Sequence, residues 1–385
     1  MMVHSDTGSA FDALLAAIQA AGGGTIGLVT GNHSFEASGA AAWLRPLAQA
    51  HPLVHLCTSS SEATTGVLAG LLDACRGARV DLLLAVGGGH VIDAAKLLSL
   101  FLTNPPVGGL AAVLRVPVAP DARVIPLIAV PLTAGTGSEV TPFAVVYHDG
   151  IKCSVESPSL VPFHALHVTP FLKSLSPCQR AQTALDAFSQ AIEAYWSVNS
   201  TSVSDCAAET AIARLVGNYG DYVGGSGREE CLAAMHEASY LAGQAIAVTR
   251  TTAPHALSYP LTGFFGVPHG IAVALTLGEF FTFNEQVRAD DCSDPRGSAF
   301  VRARMQELFR LLGADDASGA RRRWRGYLQA GGIGSSLAEH GIGTAGAIDR
   351  ILDHGFAPER MRNNPRIVTR EWASDMLHHI RKGAA

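Results

Sequence analysis

LLLAVGGGHVIDAAK, residues 82–96, decides the fold. An apolar run leads into Gly87, Gly88 and Gly89, and a helix carrying Asp93 and Lys96 follows. An uninterrupted apolar run marks a strand covered on both faces, the pattern of a parallel sheet built from alternating strands and helices. Three further runs, at 25–30, 53–57 and 124–131, alternate with helical stretches before residue 165. The reading is an α/β domain with a doubly wound, mostly parallel sheet. After residue 170 the texture changes. SPCQRAQTALDAFSQAIEAYWSV and REECLAAMHEASYLAGQAIAV place apolar residues three or four apart, which predicts helices. Residues 1–168 are therefore expected to form a nucleotide-binding α/β domain and residues 169–385 an all-α domain. The boundary falls in a stretch punctuated by Pro158, Pro162 and Pro170.

Composition narrows the function. The 385 residues carry 28 Lys and Arg against 33 Asp and Glu, a net charge of −5, which excludes a strongly basic nucleic-acid binder. A hydrophobic fraction of 48% supports sizeable cores and excludes a disordered chain. The charged fraction of 16% lies below the roughly 25% of an average soluble protein, pointing to surface hidden in subunit contacts or a deep cleft. Seven scattered cysteines without a Cys-x-x-Cys pair read as reduced thiols. The opening stretch lacks a basic leader with an apolar core and cleavage site, and no run of about 18 uncharged apolar residues occurs. The expectation is a cytoplasmic protein with no membrane and no nucleic-acid partner.

Three constellations carry chemistry. In the first, Gly87, Gly88 and Gly89 let a ligand approach the backbone closely, and the helix start offers free N–H groups to a phosphate. The pattern is neither G-x-G-x-x-G nor a P-loop, so a tight turn without a ligand remains the alternative. The second, VPLTAGTGSEVTPFAVV at 130–146, sets Thr133, Thr136 and Ser138 around Gly135 and Gly137 after another strand. It reads either as a nucleotide wall at the carboxyl ends of the strands or as a loop capping its own helix. In the third, TALDAFSQAIEAYWS puts Asp186 and Gln190 one helical turn apart, and TRTTAPHALSYPLTGFFGVPHGIAVAL adds His255 and His269. One carboxylate oxygen, one amide oxygen and two imidazoles make a candidate four-ligand site for a divalent metal; polar helix surface and packing histidines are the alternative.

GGGHVIDAAK at 87–96, PLTAGTGSEVT at 131–141, DAFSQAIEAY at 186–195, PHALSYPLTGFFGVPHG at 254–270 and RMRNNPR at 360–366 together resemble the iron-containing (group III) alcohol dehydrogenase family. The resemblance implies a dinucleotide-binding α/β domain, an all-helical domain, and a metal and nicotinamide in the cleft between them. It implies metal ligands at Asp186, Gln190, His255 and His269, with Fe2+ the first choice and Zn2+ the second. Gln190 departs from the histidine usual at its position, and an amide oxygen is a harder, weaker ligand than imidazole. Tyr259 stands where many members carry a histidine thought to pass protons. A phenol of ordinary pKa near 10 serves as an acid more readily than as a base, and a structural tyrosine is the alternative. His255 and Tyr259 are thus the catalytic candidates.

The cofactor-binding candidates are Gly31, Ser34, Gly87, Gly88, Gly89, Asp93, Thr133, Thr136, Ser138 and Lys152. Members that prefer NAD often carry an aspartate after the strand ending LVTGNHSF, at 28–35, where this chain has Gly31 followed by Ser34. Loss of that charge favours NADPH, with NADH possible through a permissive turn. TRTTAPHALSYPLT at 249–262 resembles the branch of phosphonoacetaldehyde reductases, which make 2-hydroxyethylphosphonate in phosphonate biosynthesis. Arg250, Thr251 and Thr252 precede His255 and suit a tetrahedral oxyanion. The expected function is NADPH-linked reduction of a small anionic aldehyde by a homodimer. The alternatives are another aldehyde, such as an alkanal or succinic semialdehyde, a metal-assisted cyclase or synthase on the same scaffold, and a binding protein without metal.

Overall fold

A computed structural model describes residues 3–4, 6–58, 62–114 and 116–382. Its nine strands are β1 (Val3–His4), β2 (Ile26–Gly31), β3 (Leu53–Thr58), β4 (Leu82–Gly87), β5 (Leu127–Pro131), β6 (Phe143–His148), β7 (Ile151–Glu156), β8 (His164–Ala165) and β9 (His167–Val168). Five of them form a parallel sheet in the order β3-β2-β4-β5-β8; β2 to β5 overlap the four apolar runs, and the short β8 lies in none of them. All six residues of β4 are buried because helices cover both faces. Leu82, Leu84 and Val86 pack into one core with Ala10 and Leu14 of helix Thr7–Ala20. Leu83 and Ala85 pack into another with Leu68 and Leu71 of helix Thr65–Ala74 and Leu97 of helix Gly89–Thr103. Each large apolar side chain so buried contributes about 1.5–3 kcal/mol, which makes this strand the centre of the domain.

Two additions lie outside that sheet. β1 pairs with β9 in parallel, and β6 with β7 as an antiparallel hairpin turning through Asp149 and Gly150, both at positive φ (50° and 75°). Positive φ at both central residues is what a two-residue hairpin turn demands, and Asp followed by Gly supplies it.

The chain divides into two compact units, Met1–Leu175 with Gly227–His236, and Ser176–Ser226 with Glu237–Ala385. A single boundary does not express the excursion of Gly227–His236 into the first unit. Among its described residues the second unit is helical, with helices Pro177–Trp196, Ser202–Val223, Ala253–Phe265, His269–Glu285, Ser298–Leu311, Ala317–Ala330, Ala345–Gly355 and Arg370–Arg381 as its main elements. No helix among the described residues is long and apolar enough to cross a membrane.

Candidate metal centre and nucleotide loops

Helix Pro177–Trp196 begins on a reciprocal cap: Ser176 Oγ accepts from the N–H of Gln179, and Gln179 Oε1 accepts from the N–H of Ser176. Pro177 occupies the first turn, where its missing N–H costs nothing. Two turns on, Asp186, Gln190 and Glu193 fall at i, i+4 and i+7 and share one face, all three buried. Polar side chains at such depth need partners. His255, in the first turn of helix Ala253–Phe265, and His269, the first residue of helix His269–Glu285, supply them.

One ligand atom from each of Asp186, His255 and His269 lies within 4.8 Å of the other two. His255 Nε2 is 3.5 Å and His269 Nε2 3.9 Å from Asp186 Oδ1. Gln190 Oε1 and His255 Nε2 are buried with no hydrogen-bond partner. Buried, unpartnered ligand atoms beside a carboxylate and a second imidazole form a set that a divalent cation completes, so the residues fit a metal. Tyr259, one turn after His255, lays its ring nearly parallel to that of His269, at 6.2 Å and 19°.

Glu193 is the functional candidate that the motif reading passes over. It is fully buried. Its Oε1 accepts a hydrogen bond from His255 Nδ1–H, and Oε2 accepts from the backbone N–H of Thr252 at 2.6 Å and from its Oγ1 at 2.7 Å. Thr252 Oγ1 in turn accepts from Trp196 Nε1 at 2.9 Å. Burial pushes the His255 imidazole down, but the negative charge of Glu193, its hydrogen bond to Nδ1 and the nearby carboxylate of Asp186 outweigh it and hold the pKa up at about 10 in the metal-free protein. The signal in the sequence is the i+7 spacing from Asp186.

The structure thus brings Thr252 to the centre by way of Glu193, its hydroxyl proton committed to that carboxylate. Thr251 lends its carbonyl to Asn363 Nδ2 at 3.2 Å. Arg250 is half-buried at φ 61°, a left-handed backbone uncommon outside glycine, and burial lowers its pKa.

The nucleotide candidates lie in the first unit. β4 ends at Gly87 and β5 at Pro131, paired side by side, and Leu132 N–H donates to the Gly87 carbonyl at 2.9 Å, so both loops leave neighbouring strand ends. A side chain at Gly87 would meet Val91, and one at Gly89 would meet Thr136, each at 2.5 Å. Gly88 differs: the nearest atoms to a side chain there, on His90 and Thr133, lie 3.6 and 3.7 Å away. Packing explains two of the glycines, whereas a side chain at the third would meet only ordinary van der Waals contact. Helix Gly89–Thr103 has no side-chain cap and no acidic residue in its first turn. Its N-terminus therefore suits a phosphate, and the residues fit a dinucleotide.

Thr133 and Thr136 are half-buried, and Ser138 is buried with its hydroxyl donating to Asp93. Asp93 also accepts from Val145 N–H at 3.0 Å, and burial raises its pKa. Lys152 sits on β7, and its positive charge acts on Asp93 and Glu62. Gly31 closes β2 with Ser34 Oγ 2.6 Å from where its Cβ would stand.

These features fit a protein that takes a divalent metal and a dinucleotide, and comparison with known proteins gives its family. Residues 5–168 match the iron-containing alcohol dehydrogenase model, and residues 180–380 the C-terminal model of the Fe-containing alcohol dehydrogenase family. The chain belongs to the iron-containing alcohol dehydrogenase family. It is 32% identical over 326 residues, 82% of this chain and 80% of the relative, to the phosphonoacetaldehyde reductase of Streptomyces viridochromogenes. The 4-hydroxybutyrate dehydrogenase of Clostridium kluyveri is 36% identical over 203 residues, 52% of this chain and 53% of that one. The sulfoacetaldehyde reductase from Bifidobacterium kashiwanohense, crystallised with NAD+, superimposes with a TM-score of 0.86 at 26% identity, covering 98% of this chain and 96% of that one.

Proposed function

We propose that this enzyme reduces a small anionic aldehyde to its alcohol with NADPH and one divalent metal, phosphonoacetaldehyde to 2-hydroxyethylphosphonate being the reaction its residues favour. The observation that carries the reading is the turn at residues 250–252: a half-buried arginine in left-handed backbone, two residues before a threonine fastened to the carboxylate that also holds His255. A guanidinium desolvated at that position binds an oxyanion more strongly than an exposed one. Two of the relatives are named for aldehydes bearing a tetrahedral phosphonate or sulfonate, which supports the same class of anion.

When bound, the divalent metal supplies Lewis-acid polarisation of the carbonyl oxygen and the reduced nicotinamide supplies the hydride. Asp186, Gln190, His255 and His269 would hold the metal, Fe2+ before Zn2+. Gly88 and the start of helix Gly89–Thr103, with Thr133 and Thr136, would hold the dinucleotide, and Asp93 and Ser138 would position that wall. Arg250 and Thr251 grip the anionic end of the aldehyde and orient it. Thr252 acts only through Glu193. Tyr259 Oη holds the proton that the product oxygen requires. Gly31 and Ser34 favour NADPH, since no carboxylate stands there to repel a 2′-phosphate.

NADPH consumption by the metal-loaded enzyme tests the reading, with phosphonoacetaldehyde, succinic semialdehyde and butyraldehyde compared in parallel and repeated with Arg250→Ala. The expected kcat/KM order is phosphonoacetaldehyde, then succinic semialdehyde, then butyraldehyde. The variant should lose about ten- to hundredfold on the anions, the value of a charge-assisted hydrogen bond, and little on butyraldehyde. Preference for butyraldehyde overturns the anion reading. Preference for succinic semialdehyde moves the substrate to a carboxylate, the reading that the 4-hydroxybutyrate dehydrogenase supports. Absence of net NADPH turnover favours the synthase alternative.

A further inference from the structure

We infer that Glu193 is a positioning residue that sets the metal ligand His255 and the substrate turn at residues 250–252 together, so that the two ends of the substrate are located by one carboxylate. The inference rests on the anionic-aldehyde reading for its substrate half.

The carboxylate divides its two oxygens between two tasks. Oε1 accepts from His255 Nδ1, which keeps the proton on that nitrogen and leaves Nε2 directed at Asp186, 3.5 Å away. Fixing the tautomer of a ligating histidine through its far nitrogen is a recognised task of outer carboxylates. Oε2 accepts from the N–H and the hydroxyl of Thr252, at 2.6 and 2.7 Å. Thr252 begins helix Ala253–Phe265, the helix that carries His255, and it ends the turn on which Arg250 sits. Three donors therefore converge on one fully buried anion. Trp196 Nε1 braces the arrangement by donating to Thr252 Oγ1.

The chemistry requires a carboxylate here. An amide offers one acceptor oxygen, so it satisfies either the histidine or the threonine and turns an N–H group towards the other. A structural role confined to His255 would leave the turn indifferent to the change. A shared role moves both.

Two affinities measured on each protein decide the matter: Co2+, from its visible absorption on titration into metal-free enzyme, and methylphosphonate, by calorimetry on Co2+-saturated enzyme. Circular dichroism verifies folding. Glu193→Gln should weaken Co2+ about tenfold or more and methylphosphonate by a similar factor. Thr252→Val, which removes the hydroxyl at constant shape, should weaken methylphosphonate and leave Co2+ within about threefold. Loss of Co2+ affinity alone in Glu193→Gln overturns the shared role, as does loss of neither. Should Glu193→Gln fail to fold, Glu193→Asp, which keeps the charge on a shorter arm, carries the same comparison. Arg250→Ala keeps the two readings apart. If it binds methylphosphonate as tightly as the unmodified enzyme, the anion reading fails; if it loses binding while Glu193→Gln keeps it, only the shared role fails.

Discussion

Gly270 lies so close to Gln182 that a methyl group on its Cα would stand 1.9 Å from the Gln182 carbonyl oxygen and 3.0 Å from the Asp186 backbone nitrogen. The missing side chain is what lets helix His269–Glu285 dock on helix Pro177–Trp196 and bring His269 to Asp186.

Gly270→Ala should therefore open the metal centre from behind. Neither neighbour can yield, because both atoms are backbone. Overpacking of this kind costs about 1–3 kcal/mol or more. The expected result is a lowered thermal midpoint together with metal content falling well below one per chain, read by elemental analysis. Full metal content at an unchanged midpoint contradicts the argument.

Metal uptake should release close to one proton per chain below pH 9. His255 has its pKa raised from 6.5 to about 10 in the metal-free protein, so it is protonated at neutral pH. A cation at Nε2 displaces that proton, and apparent affinity climbs about tenfold per pH unit between 6.5 and 10. The same shift gives the metal-free fold a stabilisation that is complete below pH 6.5 and lost as the pH rises through about 10. Calorimetry in buffers of different ionisation enthalpy counts the proton, and a pH-independent affinity refutes the assignment.

Gly88→Ala should separate binding from folding. Its added methyl meets no protein atom closer than 3.6 Å at a φ of −76°, so the melting temperature should hold. NADPH affinity, followed by nucleotide fluorescence, should weaken about tenfold or more if the dinucleotide backbone rests there, a loss of about 1.4 kcal/mol. Unchanged affinity would return these glycines to a tight turn.

Gly31→Asp should turn cofactor preference towards NADH. The new side chain has only the flexible Ser34 hydroxyl to displace, and its charge repels a 2′-phosphate. The ratio of kcat/KM for NADPH to that for NADH should fall at least tenfold. A constant ratio locates the discrimination elsewhere.

Sequence alone reached the parts governed by local pattern. The run at 82–86 reads as a strand because both its faces are buried, and Asp186 and Gln190 read as neighbours because a helix makes them so. Pairings across long separations stayed hidden. Lys96 was visible on its helix, but not that its Nζ donates to the carbonyls of Thr141 and Phe143, at 2.8 and 2.9 Å, from 45 and 47 residues away. The β6–β7 hairpin was legible in principle from Asp149 and Gly150. A continuous apolar run does not mark it, because these strands are half-exposed. Glu193 escaped because its partners, His255 and Thr252, lie some sixty positions downstream, 62 and 59 residues away.

Asp93 and Lys96 lie three residues apart, neighbours on one face of helix Gly89–Thr103. Asp93 takes the Ser138 hydroxyl and the Val145 N–H, while Lys96 takes the carbonyls of Thr141 and Phe143 and the Thr141 hydroxyl. The segment after the second glycine-rich loop is thereby stapled from one side along its length. It is a wall and not a gate. On the proposed binding mode, a nucleotide arriving against it meets a surface already in its final shape, and the ordering entropy that a mobile flap would demand at each turnover is settled once, when the chain folds.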